Sequence, residues 1–164
     1  MFCQRCGGST EERPIDGRPR PVCVVCEAVT YLDPKLAVAV VIERDGTILL
    51  GKRAAWTRSP GLWSFPAGFV ERGEVVGDAA VREVSEEVGL TVTIGPALDV
   101  FSTAGDPVVL LAFPATSFVG EPIAGDDLTE IGWFFPHQLP ELAFPHDPEI
   151  LAAWRGWRAA RATS

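Results

Sequence analysis

Gly68-Phe-Val-Glu71-Arg-Gly-Glu74-Val-Val-Gly-Asp78-Ala-Ala-Val-Arg82-Glu83-Val84-Ser-Glu86-Glu87-Val88-Gly89-Leu90 is the stretch on which the reading turns. Its second half has helical spacing, with a helix predicted over Asp78–Val88 and Gly89 as the stop signal. At about 100° per residue, Glu83, Glu86 and Glu87 fall within ~100° of one another. Val81, Val84 and Val88 fall on the opposite side together with Ala80. One face is made to pack and the other to present three carboxylates. Like charges at these spacings destabilise a bare helix, and no cationic or apolar residue separates them on that face. The three side chains are therefore expected to stand outward around a hard divalent cation, magnesium or manganese, which binds carboxylates and substrate phosphates together. Arg82 and Glu74 are expected to hold those ligands in place.

Working outward, the chain divides into three segments. Residues 1–33 hold all four cysteines, with little apolar periodicity between them. The pattern is Cys3-x2-Cys6, sixteen residues, then Cys23-x2-Cys26. Two such pairs aim four thiolates at one point, the arrangement of a zinc ribbon. Gly7 gives the first pair room to turn. Four cysteine ligands leave no open position, so the zinc is expected to be structural. Two disulfides are the competing reading, and nothing in the sequence suggests secretion.

Residues from 34 onward alternate apolar runs with turn signals. Strands are predicted at Leu36–Glu43, Thr47–Lys52, Trp63–Phe65, Thr91–Phe101, Val108–Phe113 and Thr129–Phe135. Arg44-Asp45-Gly46 reads as a tight turn between the first two. A closing helix is predicted over 147–162, with Ile150, Leu151, Trp154 and Trp157 on one side and three arginines towards its end. Strands and helices mix without regular alternation, so the fold class is α+β, or a three-layer sandwich on a mixed sheet. The division is 1–33 and 34–164.

Composition excludes some classes. The chain has 164 residues and a net charge of −8, so it is a poor general binder of nucleic-acid backbone. No apolar run approaches the ~18–20 residues of a membrane span, and no secretory leader is visible. The expected location is cytoplasmic.

The box at 68–90 fits G-x5-E-x7-R-E-U-x-E-E-x-G-U, with U a bulky aliphatic residue, at every specified position. Here the sequence resembles the Nudix hydrolases, over about 36–145. The resemblance implies their α/β/α sandwich and hydrolysis of a diphosphate linkage in a nucleoside diphosphate derivative. It also implies Glu83, Glu86 and Glu87 as magnesium ligands. A general base often follows the box in that family, and Asp126, Asp127 and Glu130 are the acids available there. A ribbon followed by such a domain resembles two branches, one of ADP-ribose and FAD pyrophosphatases, the other of NADH pyrophosphatases that also remove NAD caps from RNA. The S-Q-P-W-P-F-P-x-S signature of the NADH branch is absent, since residues 100–109 read Val-Phe-Ser-Thr-Ala-Gly-Asp-Pro-Val-Val. ADP-ribose or FAD is therefore favoured.

Lys52, Arg53 and Arg58 are candidate phosphate contacts. Trp56, Phe69 and Phe101 are candidates for stacking on a base, or equally for ordinary packing. His137 and His146 receive no role. A homodimer is expected only by family analogy. The competing class is an interaction module, a ribbon binding protein or nucleic acid on an inactive scaffold. The complete acidic box speaks against it.

Overall fold

The computed structural model describes residues 1–125 and 127–162. It comprises two compact units, Met1–Pro34 and Lys35–Ser164.

In the first unit β1 (Thr10–Ile15) and β2 (Arg18–Cys23) form an antiparallel hairpin, with Thr10 opposite Cys23 and Ile15 opposite Arg18. The sequence reading placed no strands here. The signal was Asp16-Gly17, a hairpin dipeptide whose two residues both have positive φ, 51° and 74°. Each cysteine pair lies on a turn of the same build. The amide of Gly7 donates to the Cys3 carbonyl at 2.9 Å, and that of Glu27 to the Cys23 carbonyl at 3.1 Å. Gly7 and Glu27 hold equivalent left-handed positions, φ 75° and 56°. Glycine takes this conformation freely, whereas Glu27 carries a modest strain.

The second unit contains, in chain order, β3 (Lys35–Val41), β4 (Glu43–Arg44), β5 (Thr47–Arg53), β6 (Trp63–Ser64), β7 (Ala67–Phe69), α1 (Val76–Val88), β8 (Thr91–Ile94), β9 (Asp99–Ser102), β10 (Val108–Val119), β11 (Leu128–Phe134) and α2 (Asp147–Ala162). β3 is central to one sheet. It pairs parallel with β10, Lys35 opposite Val108, and antiparallel with β7, Ala39 opposite Ala67. β10 also pairs with β9 and, beyond a bulge between Ala115 and Ser117, with β8. The chain then leaves β3 for a second sheet, where β5 pairs with β4, β6 and β11. The first of these sheets is mixed, as read from the sequence, and the second is antiparallel throughout.

β3 is apolar on both faces because both are covered. Val38, Val40 and Ile42 pack with Ala79, Ala80, Val84 and Val88 of α1. Ala39 and Val41 pack with Ile150, Leu151 and Trp154 of α2. The two helices thus cover opposite sides of the sheets, giving three layers.

Several elements differ from the sequence reading, β7 among them, whose residues read as a turn, and three further differences have clear physical causes. The strand expected at Thr91–Phe101 is two strands, because Gly95-Pro96 interrupts it. Pro96 has no N–H to give a ladder, and the amides of Gly95 and Leu98 reach β10 instead, at the carbonyls of Pro114 (2.8 Å) and Ala112 (2.7 Å). β10 runs to Val119, past Pro114. That proline lies between the β9 and β8 pairings, so its missing N–H interrupts neither. α1 begins at Val76, two residues early, without a side-chain cap at Val75. Its first turn draws on Asp78 against the helix dipole. It ends at Gly89 in the left-handed conformation.

Val84 is fully buried between α1 and the sheet. Val84→Asp would place a carboxylate there without a partner, at a cost above about 3 kcal/mol. Chemical denaturation should show the cooperative transition lost or moved to much lower denaturant, with activity failing as a consequence.

Candidate active site

α1 presents its acidic residues at its C-terminal half, and β7 passes beneath them. The amide of Ala67 donates to Glu87 Oε2 at 2.9 Å. The next residue is Gly68, where a Cβ would lie 2.0 Å from the carboxyl carbon of Glu83. Only a bare Cα lets the carboxylate come so close. The segment before β11 closes the other side. The amides of Ile123 and Gly125 donate to the carbonyls of Val88 (3.0 Å) and Glu87 (2.8 Å). Glu83, Glu86, Glu87, Gly125 and Asp127 then line one open hollow.

Arg82 organises these acids. Its Nε and Nη2 bind the two oxygens of Glu74 at 2.8 and 3.0 Å, and Nη2 also donates to the Phe69 carbonyl at 3.0 Å. Its Nη1 reaches Glu83 Oε1 at 2.8 Å and Glu86 Oε2 at 2.9 Å. Glu74 accepts the Glu71 amide as well, and together with the guanidinium this holds its carboxyl down at about 2. The carboxylates in turn hold the Arg82 proton more tightly than usual. Arg82 thus holds the acids as expected from the sequence, and it also puts a cation on the acidic face, which the helix wheel alone left free of one.

The three acids are also not equivalent, and not all of them stand outward. Glu86 is 59% exposed. Glu83 lies largely within the fold, and burial raises its pKa against the opposing pull of Arg82. Glu87 is deeper still. Burial pushes it up to about 7, the Ala67 amide opposes this, and the charges of Glu83 and Asp127 add to it. The donors are hard oxygens lining one hollow in partly desolvated surroundings, a kind of ligand that suits a divalent cation such as magnesium.

A cavity of about 230 Å³ adjoins the hollow. Ala37, Ala39, Phe65, Val108 and Leu110 make it apolar, and Ala67 and Gly68 belong to its wall. Glu87 and Glu83 of the hollow abut these same two residues of β7. Arg53, Arg58 and Phe69 all line the cavity. Phe69 is half exposed, with Lys35 Nζ 5.1 Å from its ring centroid. The other sequence candidates lie elsewhere. Lys52 is paired with Glu130 at 2.7 Å. Trp56 is 73% exposed on a loop, and Phe101 is packed against α2. Asp126 lies outside the described residues.

Two cavity residues were missed. His146 is held by Thr103 Oγ1 at 3.1 Å and Glu149 Oε2 at 2.5 Å. Asp147, read only as a helix start, is 3% exposed and accepts the Phe144 amide at 3.0 Å. Burial pushes its pKa to about 6, opposed by that amide and by the charge of Arg53. Helical spacing announces the helix start and says nothing about what closes over it.

In the first unit the four thiol sulfurs lie within 4.8 Å of one another. Cys3–Cys26 and Cys6–Cys23 sulfurs are 3.7 and 3.5 Å apart. That is far beyond a disulfide bond of about 2.05 Å. It is close to the edge of about 3.8 Å of a tetrahedron with Zn–S of about 2.3 Å. The amides of Val25 and Cys26 point at the Cys23 sulfur and draw its pKa down to about 6, favouring the thiolate.

Residues 33–154 match the family model described as NUDIX domain, and residues 1–32 the model described as Nudix N-terminal, a zinc ribbon. The chain belongs to the Nudix hydrolase family. An ADP-ribose pyrophosphatase of Methanocaldococcus jannaschii is 40% identical over 78% of this chain and 77% of its own. A CTP pyrophosphohydrolase of Escherichia coli is 35% identical over 76% of this chain and 93% of its own. The NAD-capped RNA hydrolase NudC of Pseudomonas aeruginosa is 32% identical over 86% of this chain, which spans 50% of that relative. The crystal structure of a Nudix hydrolase from Nitrosomonas europaea superposes with a TM-score of 0.84 at 31% identity, covering 92% of this chain and 87% of that one. The protein is thus a Nudix pyrophosphohydrolase on a mixed-sheet α+β fold with an N-terminal zinc ribbon. Among the described residues no helix is long and apolar enough to cross a membrane.

Asp147 gives this unit a specific pH dependence. Its folded pKa, about 6, lies above the unfolded value of about 3.9. Between the two the native state keeps a proton that the unfolded chain has released, so stability falls as pH rises through this window. Two units correspond to about 3 kcal/mol. Asp147→Asn keeps an acceptor for the Phe144 amide and does not titrate. Urea unfolding at pH 4, 5, 6 and 7 should show the wild type losing ground to the variant over that range. A pH-independent difference would refute the assignment.

Proposed function

We propose that this protein is a magnesium- or manganese-dependent hydrolase of nucleoside diphosphate derivatives, with ADP-ribose the favoured substrate and FAD next. One observation carries the reading: a hollow lined by four carboxylates lies against β7, the strand that walls an apolar cavity rimmed by arginines. Glu83, Glu86 and Glu87, with Asp127 beside them, would hold the cation. When bound, it would neutralise phosphate charge and lower the pKa of water. Arg82 and Glu74 keep the carboxylates aimed. Water attacks one phosphorus, the anhydride P–O bond breaks, and Glu83 or Asp127 takes the proton. Asp127 reaches the hollow, whereas Glu130 is engaged by Lys52. Arg53, Arg58 and Phe69 are proposed to contact substrate.

Cavity size bears on the substrate. Sites enclosing a whole drug-sized ligand measure roughly 300–1,000 Å³, so about 230 Å³ takes one nucleoside and leaves the rest outside. That accommodates the adenosine that ADP-ribose and FAD have in common. A second reading is a nucleoside triphosphate, as in the Escherichia coli relative, since the same cavity beside the same acids accommodates it. NADH and NAD-capped RNA rank lower for want of their branch signature. An interaction module on a dead scaffold has no use for acids braced through Arg82.

The sulfur geometry supports a structural zinc on Cys3, Cys6, Cys23 and Cys26, and reduced thiols fit the expected cytoplasmic setting. A homodimer remains the family expectation.

Turnover of ADP-ribose, FAD, NADH and CTP, assayed with magnesium, tests the reading. ADP-ribose is expected to give the highest kcat/KM and NADH a lower one. Glu83→Gln and Glu87→Gln should each lower kcat on the order of 10²–10⁴. Wild-type rates from both variants would sink the proposed site.

Metal analysis should find about one zinc per chain, and a single Cys→Ser change should melt the ribbon while leaving the second unit folded. Intact disulfides in freshly reduced protein would count against zinc.

A further inference from the structure

Arg53 and Arg58 both line the cavity, but their surroundings differ. Arg53 ends β5, and the loop 54–62 starts and returns at its backbone. Its amide donates to the Leu62 carbonyl at 2.9 Å, and its carbonyl accepts the Gly61 amide at 2.9 Å. Its side chain turns back into the loop, where Nε donates to the Arg58 carbonyl at 2.6 Å. The guanidinium lies over Phe144, 5.0 Å from the ring centroid. Its charge already faces the carboxylates of Glu87 and Asp147. Thr57 and Ser59 complete the loop by bonds to Ala54 and Leu62, with Ser59 in the left-handed conformation at φ 59°. Arg58 is exposed at the cavity, and among the described residues its guanidinium has no ion pair, hydrogen bond or ring partner.

We propose a division of labour: Arg58 is the direct contact for the substrate diphosphate, and Arg53 is a positioning residue that presents it by fixing the loop 54–62. This rests on the diphosphate-hydrolase reading and revises its treatment of both arginines as equivalent contacts. The physical reason is the donor geometry. Arginine provides an Nε–H along its stem and a flat face for Phe144 at the same time, whereas lysine has only a terminal ammonium. A phosphate contact tolerates lysine, and this positioning role does not.

The test is a double-mutant cycle on full-length protein with ADP-ribose and magnesium, together with limited tryptic digestion without substrate. Arg58→Ala should raise KM roughly tenfold, the scale of a lost charge-assisted bond, with kcat nearly unchanged. Arg53→Lys should raise KM as much, and the two together no more than either alone, because one acts through the other. The tryptic cut between Arg58 and Ser59 should be faster in Arg53→Lys, since the loop has lost its internal tie. A near-wild-type KM for Arg53→Lys, multiplying effects in the double variant, or an unchanged cutting rate would overturn the proposal. Absence of turnover with every nucleotide offered would instead overturn the hydrolase reading, while the proteolysis still reports on the loop.

Discussion

The close approach of Glu83 to Gly68 is the constraint around which the site is arranged. A helix carrying three carboxylates is pressed on a strand that has no side chain at the point of contact. What presses it there is the opposite face, where Ala79, Ala80, Val84 and Val88 are all fully buried. Burial of such side chains contributes roughly 1.5–3 kcal/mol each for the larger ones, enough to outweigh the repulsion of a few exposed like charges. The apolar face therefore fixes the helix, and the helix forces carboxylates into surroundings they would not choose. Because β7 also walls the cavity, the same contact fixes the distance between the acids and any bound nucleotide.

Arg82 makes that crowding tolerable. It holds Glu74, Glu83 and Glu86 at once, and the Phe69 carbonyl ties it to the strand. The bidentate grip on Glu74 is the fixed end of this system, as the low pKa of Glu74 reflects. The Nη1 contacts to Glu83 and Glu86 are the exchangeable end, since Glu86 is mostly in water and its pairing is screened. Glu87 receives no bond from Arg82 and draws instead on the Ala67 amide and the charge of Arg53. Four carboxylates with one shared guanidinium remain electrostatically unsatisfied, which is a common condition of sites built to take up charge.

Much of this could be read from the sequence, and the gaps have physical causes. The box gives the helix, its stop and its acids, because helical spacing and residue type suffice. The cysteine spacing gives the ribbon in the same way. The inequivalence of Glu83, Glu86 and Glu87 is invisible, because depth depends on β7, on Ile123 and Gly125 and on Asp127, which meet the helix only in three dimensions. Asp147 is hidden for the same reason: a carboxylate at a helix start is ordinary, and only the closure of Phe144 and Arg53 over it makes it buried. The split of Thr91–Phe101 was legible at Gly95-Pro96. The hairpin at Asp16-Gly17 was legible too, masked by polar strands with no core to produce alternation.

Reaction and specificity are carried by different parts of the chain. The acids come from one helix and one short segment, locked by buried valines and by amides that leave little freedom. The cavity rim comes from the loop after β5 and the turn before α2, where Arg58, Phe144, His146 and Asp147 reside. Loops of this kind change without disturbing the layers beneath them. Relatives sharing the box can accordingly bear names for ADP-ribose, CTP and NAD-capped RNA. The rim is cross-linked, since Arg53 joins the loop to Phe144 while its charge faces acids on both sides. On the reading proposed above, a nucleoside in the cavity would meet a rim whose Arg53 charge also acts on Glu87 of the hollow.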